Sequence, residues 1–248
     1  MRRDDQECDD DAAEPLPDVA VPPAESLPAA RALFGTRLGL AGRYAQLLAT
    51  DGVVRGLIGP RETTRLWDRH LLNCAVLADF IPDGASVIDV GSGAGLPGIA
   101  LAIARPDLRI VLVEPLARRT AFLTDVVPRL GLDDVTIFRG RAGEAVRALA
   151  RADVVTARAV APLDRLADWC LPLLVPGGRL LALKGATAAA EVDAHRDAVR
   201  RAGGGDPIIR TCGAGLLVPP ATVVEITRRD GGPSGGRDSG RSRRSRIG

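Results

Sequence analysis

A glycine-rich turn that follows a predicted strand has the residue types of a ligand-binding loop. A predicted strand at residues 87–90, apolar except for Asp89, leads into Gly91, Gly93 and Gly95, and Pro97 then marks the start of a predicted helix. Glycine lets the backbone turn tightly and approach a bound molecule, while the first N–H groups of a helix have no partner within it. Proline is tolerated there because no N–H is needed. The segment predicts a binding site at the end of a strand, although a plain tight turn would use the same residues.

Two acidic residues flank this turn in sequence. Asp89 precedes it, and Glu114 ends the next predicted strand, nineteen residues beyond Gly95. A carboxylate at the latter position can accept hydrogen bonds from both hydroxyls of a ribose. NAD-dependent dehydrogenases share that acid but favour G-x-G-x-x-G, which places a pyrophosphate at the helix start. An aspartate before G-x-G-x-G matches the S-adenosylmethionine pattern instead. The residues predicted to bind this cofactor are therefore Asp89, Gly91, Gly93, Gly95 and Glu114.

Two basic residues, Arg158 and Lys184, end the fourth and fifth predicted strands. The carboxyl ends of parallel strands lie at one edge of a sheet, where doubly wound folds bind their ligands. At that edge Arg158 could hold a carboxylate or a phosphate, and Lys184 a phosphate. Both are predicted to position the substrate, with a surface salt bridge as the alternative for Arg158. His70, on an amphipathic helix, is interpreted as a packed structural imidazole.

Strands and helices that would position these residues are predicted to alternate after residue 84. Short β-branched runs alternate with helical stretches, which is typical of parallel βαβ units. No helix fits between the last two strands, so they should form a hairpin that makes the last strand antiparallel. The predicted fold is α/β: a Rossmann-like, seven-stranded, mostly parallel sheet of the class I methyltransferase type. Strands are predicted at residues 86–90, 109–114, 135–139, 153–158, 179–184, 207–212 and 221–227, and helices near residues 96–104, 118–130, 143–150, 162–174 and 188–202.

Four segments are predicted along the chain. Residues 1–28 carry nine acids and five prolines with few large apolar side chains, a composition that predicts a disordered acidic tail. Residues 29–83 have leucines at helical spacing and form a predicted N-terminal helical cap. Residues 84–229 make up the predicted methyltransferase domain. Residues 230–248, rich in Gly and Ser with five Arg against two Asp, are predicted to be a disordered basic tail.

The composition narrows the class of protein. Hydrophobic residues make up 46% and charged residues 26% of the sequence, which indicates a soluble globular protein. The four cysteines form no C-x-x-C pair, so no metal site is predicted and a reducing cytoplasm fits. Residues 87–104 are apolar, but Asp89 and the glycines argue against a membrane span. Residues 29–229 hold 26 basic and 20 acidic side chains, a mildly basic balance that suits a polyanionic partner.

In its longer motifs the sequence resembles the RsmG (GidB) family, bacterial enzymes that methylate guanine N7 in the 16S RNA of the small ribosomal subunit. The resemblance spans about residues 43–229. The motifs that carry it are Trp-Asp-Arg-His-Leu-Leu at 67–72, Asp-Val-Gly-Ser-Gly-Ala-Gly-Leu-Pro-Gly at 89–98, Arg-Arg at 118–119 with Phe122 and Leu123, Ala-Arg-Ala at 157–159 and Ala-Leu-Lys-Gly at 182–185.

The resemblance implies further contacts to the cofactor, from Gly91, Leu96, Ala142, Gly143 and Arg158. With guanine as the implied acceptor, Arg158 could also bind guanine O6, and Lys184 could contact the guanine. Two departures are visible. The family often has Ala-Glu where this chain has Ala142 and Gly143, so a side-chain role there is lost. Many members have Asn-Leu-Thr before the helix that carries the histidine, whereas residues 56–58 here are Gly-Leu-Ile, so no site residue is assigned to them.

The implied reaction needs no general base, because guanine N7 has a free lone pair and no proton at neutral pH. Much of the rate acceleration would come from aligning the acceptor nitrogen with the methyl group of the cofactor. Two alternatives stay open: a methyltransferase that acts on a small molecule or protein, and an RNA-binding module without catalysis. A dehydrogenase is disfavoured by the spacing of the glycines. The predicted partner is 16S ribosomal RNA or the small subunit, with no membrane and in the cytoplasm, and the sequence does not indicate an oligomeric state.

Overall fold

A seven-stranded sheet organises the computed structural model, which describes residues 19–230. Its strands lie in the order β3-β2-β1-β4-β5-β7-β6, and the first five run parallel while β7 is antiparallel to both β5 and β6. The predicted class I methyltransferase fold, with its terminal hairpin, is confirmed. The strands are β1 Ser86–Val90, β2 Arg109–Glu114, β3 Val135–Arg139, β4 Ala152–Arg158, β5 Leu174–Lys184, β6 Ile208–Cys212 and β7 Ala221–Thr227.

Strand β5 begins earlier than the sequence predicts. Leu174 already pairs with Ala152 of β4, and the register shifts before Val154 pairs with Arg179. The preceding helix therefore ends at Cys170, followed by a 3₁₀ turn at Leu171–Leu173, instead of continuing to residue 174. An irregularity of this kind depends on the neighbouring strand, which local periodicity does not reveal.

Helices cover both faces of the sheet. Alternate strand residues point to opposite faces, so Val87 joins a core with the N-terminal helices, whereas Ile88 packs with the helices of the other face. The α-helices are α1 Leu27–Phe34, α2 Leu38–Leu47, α3 Asn73–Ala75, α4 Gly98–Ala104, α5 Ala117–Arg129, α6 Ala142–Ala148, α7 Leu163–Cys170 and α8 Ala188–Arg201. None of the helices within residues 19–230 is long and apolar enough to cross a membrane.

The N-terminal helical cap is a chain of short, differently wound helices. Between α2 and the sheet these are a π-helix at Leu48–Gly52, a 3₁₀ helix at Pro60–Arg65, a π-helix at Leu66–Leu72, then α3 and a 3₁₀ helix at Val76–Phe80. Tyr44, Leu66 and Leu71 are completely buried in the same core as residues of β1 and α4. The cap therefore shares its core with the sheet.

The structure describes residues that the sequence analysis assigned to the N-terminal tail. Helix α1 begins at Leu27, and the indole of Trp67 donates a hydrogen bond to the carbonyl oxygen of Val19 at 2.9 Å. Because a buried indole N–H needs an acceptor, this contact ties residue 19 to the cap. The predicted tail of residues 1–28 thus extends too far, and its residues 1–18, like residues 231–248 of the basic tail, lie outside the described part.

Candidate active site

The glycine turn is attached to the neighbouring strand β2. The backbone N–H groups of Gly91 and Ser92 both donate to the carbonyl oxygen of Val113, at 2.8 and 3.2 Å. Gly91 has a φ of 72°, and a Cβ added to it would lie 2.7 Å from Cγ2 of Val160. Both the left-handed backbone and the close approach exclude a side chain, so glycine is required where β1 ends.

Asp89 lies beneath this turn and is completely buried. Its Oδ2 accepts from the N–H of Gly98 at 3.1 Å, and its Oδ1 accepts from the hydroxyl of Thr156 at 3.0 Å. Burial raises the pKa of Asp89 to about 6, against the lowering effect of these hydrogen bonds. Gly98 is necessary here, since a Cβ would collide with Cδ2 of Leu112. Asp89 therefore connects β1 with β4 and α4.

Two of the residues predicted to bind the cofactor lie outside the lining of the cavity at the strand ends. Neither Asp89 nor Gly95 lines the cavity at the end of the strands. The side chain of Asp89 points into the core, and a Cβ on Gly95 would meet the side chains of Ile99 and Tyr44. Both residues shape the turn from below. The sequence motif marks the turn, but it does not show which of its residues line the cavity.

Glu114 holds the turn from the side of β2. Its side chain is 1% exposed; Oε2 accepts from the N–H of Gly93 at 2.9 Å, and Oε1 accepts from the N–H of Leu116 at 3.0 Å. Arg119 approaches the same carboxylate at 3.7 Å. Glu114 thus presents an ordered carboxylate in the wall of the cavity, and each oxygen keeps a further lone pair.

A cavity of about 1180 Å³, the cofactor cavity, opens along the carboxyl ends of β1, β2 and β4. It brings together seven of the predicted residues: Gly91, Gly93, Leu96, Glu114, Ala142, Gly143 and Arg158. A Cβ on Gly143 would meet no atom within 4 Å, so this position has room for the side chain that the family often carries there.

Other residues of the cofactor cavity were missed by the sequence analysis. Leu57 and Ile58 reach it from the cap, at the segment to which no site residue was assigned. Leu116 and Trp169 also line it and are 51% and 38% exposed. An apolar residue two places after a strand-end acid was a visible signal for Leu116. Leu57, Ile58 and Trp169 had none, because only the packing of distant segments brings them to the strand ends.

A second cavity of about 380 Å³, the acceptor cavity, adjoins the first and shares Arg158 and Ala159 with it. Ala159 has a φ of 53°, a left-handed conformation that costs free energy for a residue with a side chain. This bend follows the end of β4 and lies between the two spaces. The remaining residues of the acceptor cavity are Glu62, Arg69, His70, Asn73, Leu183, Lys184 and Gly185.

Arg158 is held by the helical cap. Its Nη2 lies 2.8 Å from Nδ1 of His70, and its Nη1 donates to the carbonyl oxygen of Arg69 at 3.3 Å. On its far side His70 Nε2 lies 2.9 Å from a carboxylate oxygen of Glu62. Burial and the nearby Arg158 lower the pKa of His70, and the contact with Glu62 only partly opposes them. His70, interpreted from the sequence as a packed imidazole, is packed, but against a predicted site residue.

Lys184 lies in the wall of the acceptor cavity with its charge already paired. Its Nζ donates to Glu191 at 2.7 Å and to the carbonyl oxygen of Ala161 at 3.0 Å, and its side chain is 11% exposed. These contacts fasten the loop after β4 to β5 and α8. In this arrangement Lys184 supports the loop that carries Ala159 and Val160.

Comparisons with known proteins identify the family. Residues 38–216 match the GidB family model, which is described as rRNA small subunit methyltransferase G. Two proteins named ribosomal RNA small subunit methyltransferase G are similar over most of their length. The one from Salinispora arenicola is 63% identical over 221 residues, covering 86% of this chain and 91% of the relative. The one from Corynebacterium efficiens is 53% identical over 228 residues, covering 88% of this chain and 98% of the relative.

Among solved structures, the precorrin-6y C5,15-methyltransferase of Geobacter metallireducens aligns with a TM-score of 0.48 at 16% identity, covering 70% of this chain and 91% of that one. The family match and the two relatives carry the assignment. The chain belongs to the GidB family of ribosomal RNA small subunit methyltransferases.

Proposed function

We propose that this protein transfers a methyl group from S-adenosylmethionine to N7 of a guanine in 16S ribosomal RNA. The observation that carries the proposal is the pair of adjoining cavities at the carboxyl ends of the strands, with Arg158 in the wall of both. Two adjoining spaces suit a reaction that joins a bound donor to a bound acceptor. Membership of the GidB family supports the class of substrate. The reaction would take place in the cytoplasm, where ribosomal subunits are.

The lining of the cofactor cavity fits S-adenosylmethionine. Glu114 keeps free lone pairs for the two ribose hydroxyls, and the exposed side chain of Leu116 offers an apolar surface for the adenine. Ala142 and Gly143 line the side of α6, while the close turn at Gly91 leaves space for the amino-acid end. When bound, the cofactor supplies a methyl group attached to a positively charged sulfur.

The acceptor cavity offers a base both hydrogen-bonding groups and a carboxylate. Within residues 19–230 the side-chain amide of Asn73 has no hydrogen-bond partner, so it is free to pair with the edge of a base. Methylation at N7 leaves the purine positively charged. Glu62 lies in the same wall, and its hydrogen bond with His70 lowers the pKa of this carboxyl, so it stays ionised and favours the developing charge.

No residue is required to remove a proton. Guanine N7 attacks with its own lone pair, and both ring nitrogens of His70 are engaged with protein groups. Arg158 and the bend at Ala159 orient the acceptor against the donor. In this mechanism the protein contributes alignment and exclusion of water, the terms that dominate when a reaction needs no acid or base.

The deciding experiment supplies labelled S-adenosylmethionine together with intact small subunits, protein-free ribosomal RNA or a protein extract. We expect label in the 16S RNA of one or both RNA samples, at a guanine whose N7-methylated base is found by nucleoside analysis. Label confined to protein or small molecules would instead favour the alternative acceptors. If the cofactor binds and no RNA is labelled, the proposed function is wrong.

A further inference from the structure

Three side chains from different parts of the chain form a continuous row beside the acceptor cavity. Glu62 lies in the 3₁₀ helix Pro60–Arg65, His70 in the π-helix Leu66–Leu72, and Arg158 at the end of β4. The contacts between neighbours are 2.9 Å and 2.8 Å, and the side chain of His70 is 12% exposed. The row connects the helical cap to the boundary between the two cavities.

The contacts within the row determine which ring nitrogen of His70 carries the proton. A guanidinium can only donate, so Nδ1 of His70 must accept from Arg158 and therefore carries no hydrogen. The single proton of the neutral ring is then on Nε2, which donates to Glu62. The second oxygen of Glu62 accepts from Arg69 at 3.2 Å, and this contact restrains the carboxylate. The positions of the charges at either end thus select one tautomer and one orientation of the ring.

We propose that Glu62, acting through His70, holds the guanidinium of Arg158 at the boundary between the cofactor and acceptor cavities, and that Glu62 and His70 are positioning residues for methyl transfer. This inference rests on the proposed function. Without Glu62 the Nε2–H of His70 has lost its acceptor, and the contact with Arg158 is the one restraint of the row that is left on the tautomer. The other tautomer then becomes accessible, and its Nδ1–H would face the donors of Arg158. The guanidinium would then leave its place between donor and acceptor, and alignment would be lost.

The same geometry makes the row sensitive to acid. Protonation puts a hydrogen on Nδ1 and turns the contact with Arg158 into a repulsion between two donors. The charged groups around His70 are Glu62 from the cap, Arg69 on its own helix, Arg158 from β4 and Lys184 from β5 across the acceptor cavity. Behind Arg158, burial raises the pKa of Cys74 to about 11 and that of Tyr44 above its usual value, so both stay neutral. A fall in pH therefore disturbs the contacts of this row by protonating His70.

The first experiment observes the imidazoles of the full-length protein by ¹⁵N NMR. The sequence contains two histidines, His70 and His195, and a His195→Gln variant assigns their signals. We expect His70 to be the Nε2–H tautomer with a lowered pKa. Arg158→Gln should raise that pKa because it removes a cation. Glu62→Ala should shift the tautomer, whereas Glu62→Gln should preserve it, since the amide oxygen still accepts from Nε2–H.

The second experiment compares two substitutions of His70 in methyl transfer to small subunits. The side-chain oxygen of Asn lies near the place of Nδ1 and can accept from Arg158, whereas that of Gln extends past it. We expect His70→Gln to lower kcat by about 10- to 100-fold with little change in the KM for the cofactor, the cost of misplacing a group by about 1 Å. His70→Asn should retain clearly more of kcat. In the wild type kcat should decline at low pH because His70 becomes protonated, and in His70→Asn this decline should be absent.

Several outcomes overturn the proposal. They are an Nδ1–H tautomer in the wild type, a tautomer that Glu62→Ala leaves unchanged, or equal kcat values for His70→Asn and His70→Gln when both fold. Should either His70 variant fail to fold, Glu62→Ala and Glu62→Gln apply the same kinetic comparison from the other end of the row. The NMR results need no methyl transfer, so they decide the arrangement even if the proposed function fails.

Discussion

The carboxylate of Asp89 accepts a hydrogen bond from the backbone N–H of Gly98 at 3.1 Å, beneath the turn that lines the cofactor cavity. The two residues are nine positions apart and belong to β1 and α4. This contact joins β1 to the first residue of α4. Asp89, which the sequence analysis predicted to bind the cofactor, thus supports the turn from within the core.

Removing the carboxylate of Asp89 should destabilise the fold. Asp89→Ala leaves the N–H of Gly98 and the hydroxyl of Thr156 buried without an acceptor, and each unsatisfied group costs about 1–3 kcal/mol. Asp89→Asn keeps an acceptor and a donor in place, so we expect a clearly smaller loss in the free energy of unfolding, measured with urea. Equal losses for the two variants would contradict this role.

A comparison of the wild type with Asp89→Asn tests the raised pKa of Asp89. The pKa of this carboxyl is about 6 in the folded state and about 3.9 in the unfolded state. The folded protein is therefore more stable when the carboxyl is protonated than when it is ionised. Its contribution to stability is therefore lost as the pH rises through this window and is constant above it. We expect the free energy of unfolding of the wild type, relative to Asp89→Asn, to fall between about pH 4 and pH 6. A flat difference would show that the carboxyl titrates normally.

Gly91 should tolerate no side chain. Gly91→Ala places a Cβ 2.7 Å from Val160 in a left-handed backbone, so the turn must shift away from the cofactor cavity. We expect the Kd for S-adenosylmethionine to rise at least about tenfold, a loss near the cost of one strained backbone position, as measured by calorimetry. Gly39→Ala is the control, because its Cβ meets no atom within 4 Å and Gly39 is exposed on α2. A wild-type Kd in Gly91→Ala would remove the turn from the binding site.

Leu116 should contribute an apolar wall to the cofactor site. Its side chain is 51% exposed and lies next to Glu114, so Leu116→Asp removes apolar contact and adds a second negative charge. We expect a rise in the Kd for S-adenosylmethionine of about 10- to 100-fold, equivalent to burying one leucine side chain. Val218→Asp changes an exposed apolar residue outside the cofactor cavity and should leave the Kd unchanged. Similar effects of the two substitutions would argue against a specific contact.

Asn73 should act on the acceptor and not on the cofactor. Its amide faces the acceptor cavity and has no partner within residues 19–230, so Asn73→Ala removes a group available to the base. We expect the KM for small subunits to rise about 2- to 10-fold, the net contribution of one hydrogen bond, while the Kd for S-adenosylmethionine stays the same. A changed cofactor Kd, or an unchanged KM, would place Asn73 outside acceptor recognition.

Much of the fold was predictable because its determinants are local. The runs at β1, β2, β3 and β7 gave the bounds that the structure has, since strand periodicity and the turn residues that end each run are written in adjacent positions. The missing helix between β6 and β7 likewise predicted the hairpin. The cap was predicted as helical, but its alternation of 3₁₀, α and π winding depends on packing against the sheet.

The sequence by itself determined the family, the order of the elements and the strand ends at which the site lies. Only the tertiary structure decided which side chains line the cavities at those ends. It turned Asp89 into the core, brought Leu57 to the cofactor cavity and placed His70 against Arg158, 88 residues away. Periodicity and turn chemistry act over a few residues, whereas these contacts arise where the faces of distant elements meet, and no pattern within either segment specifies that meeting.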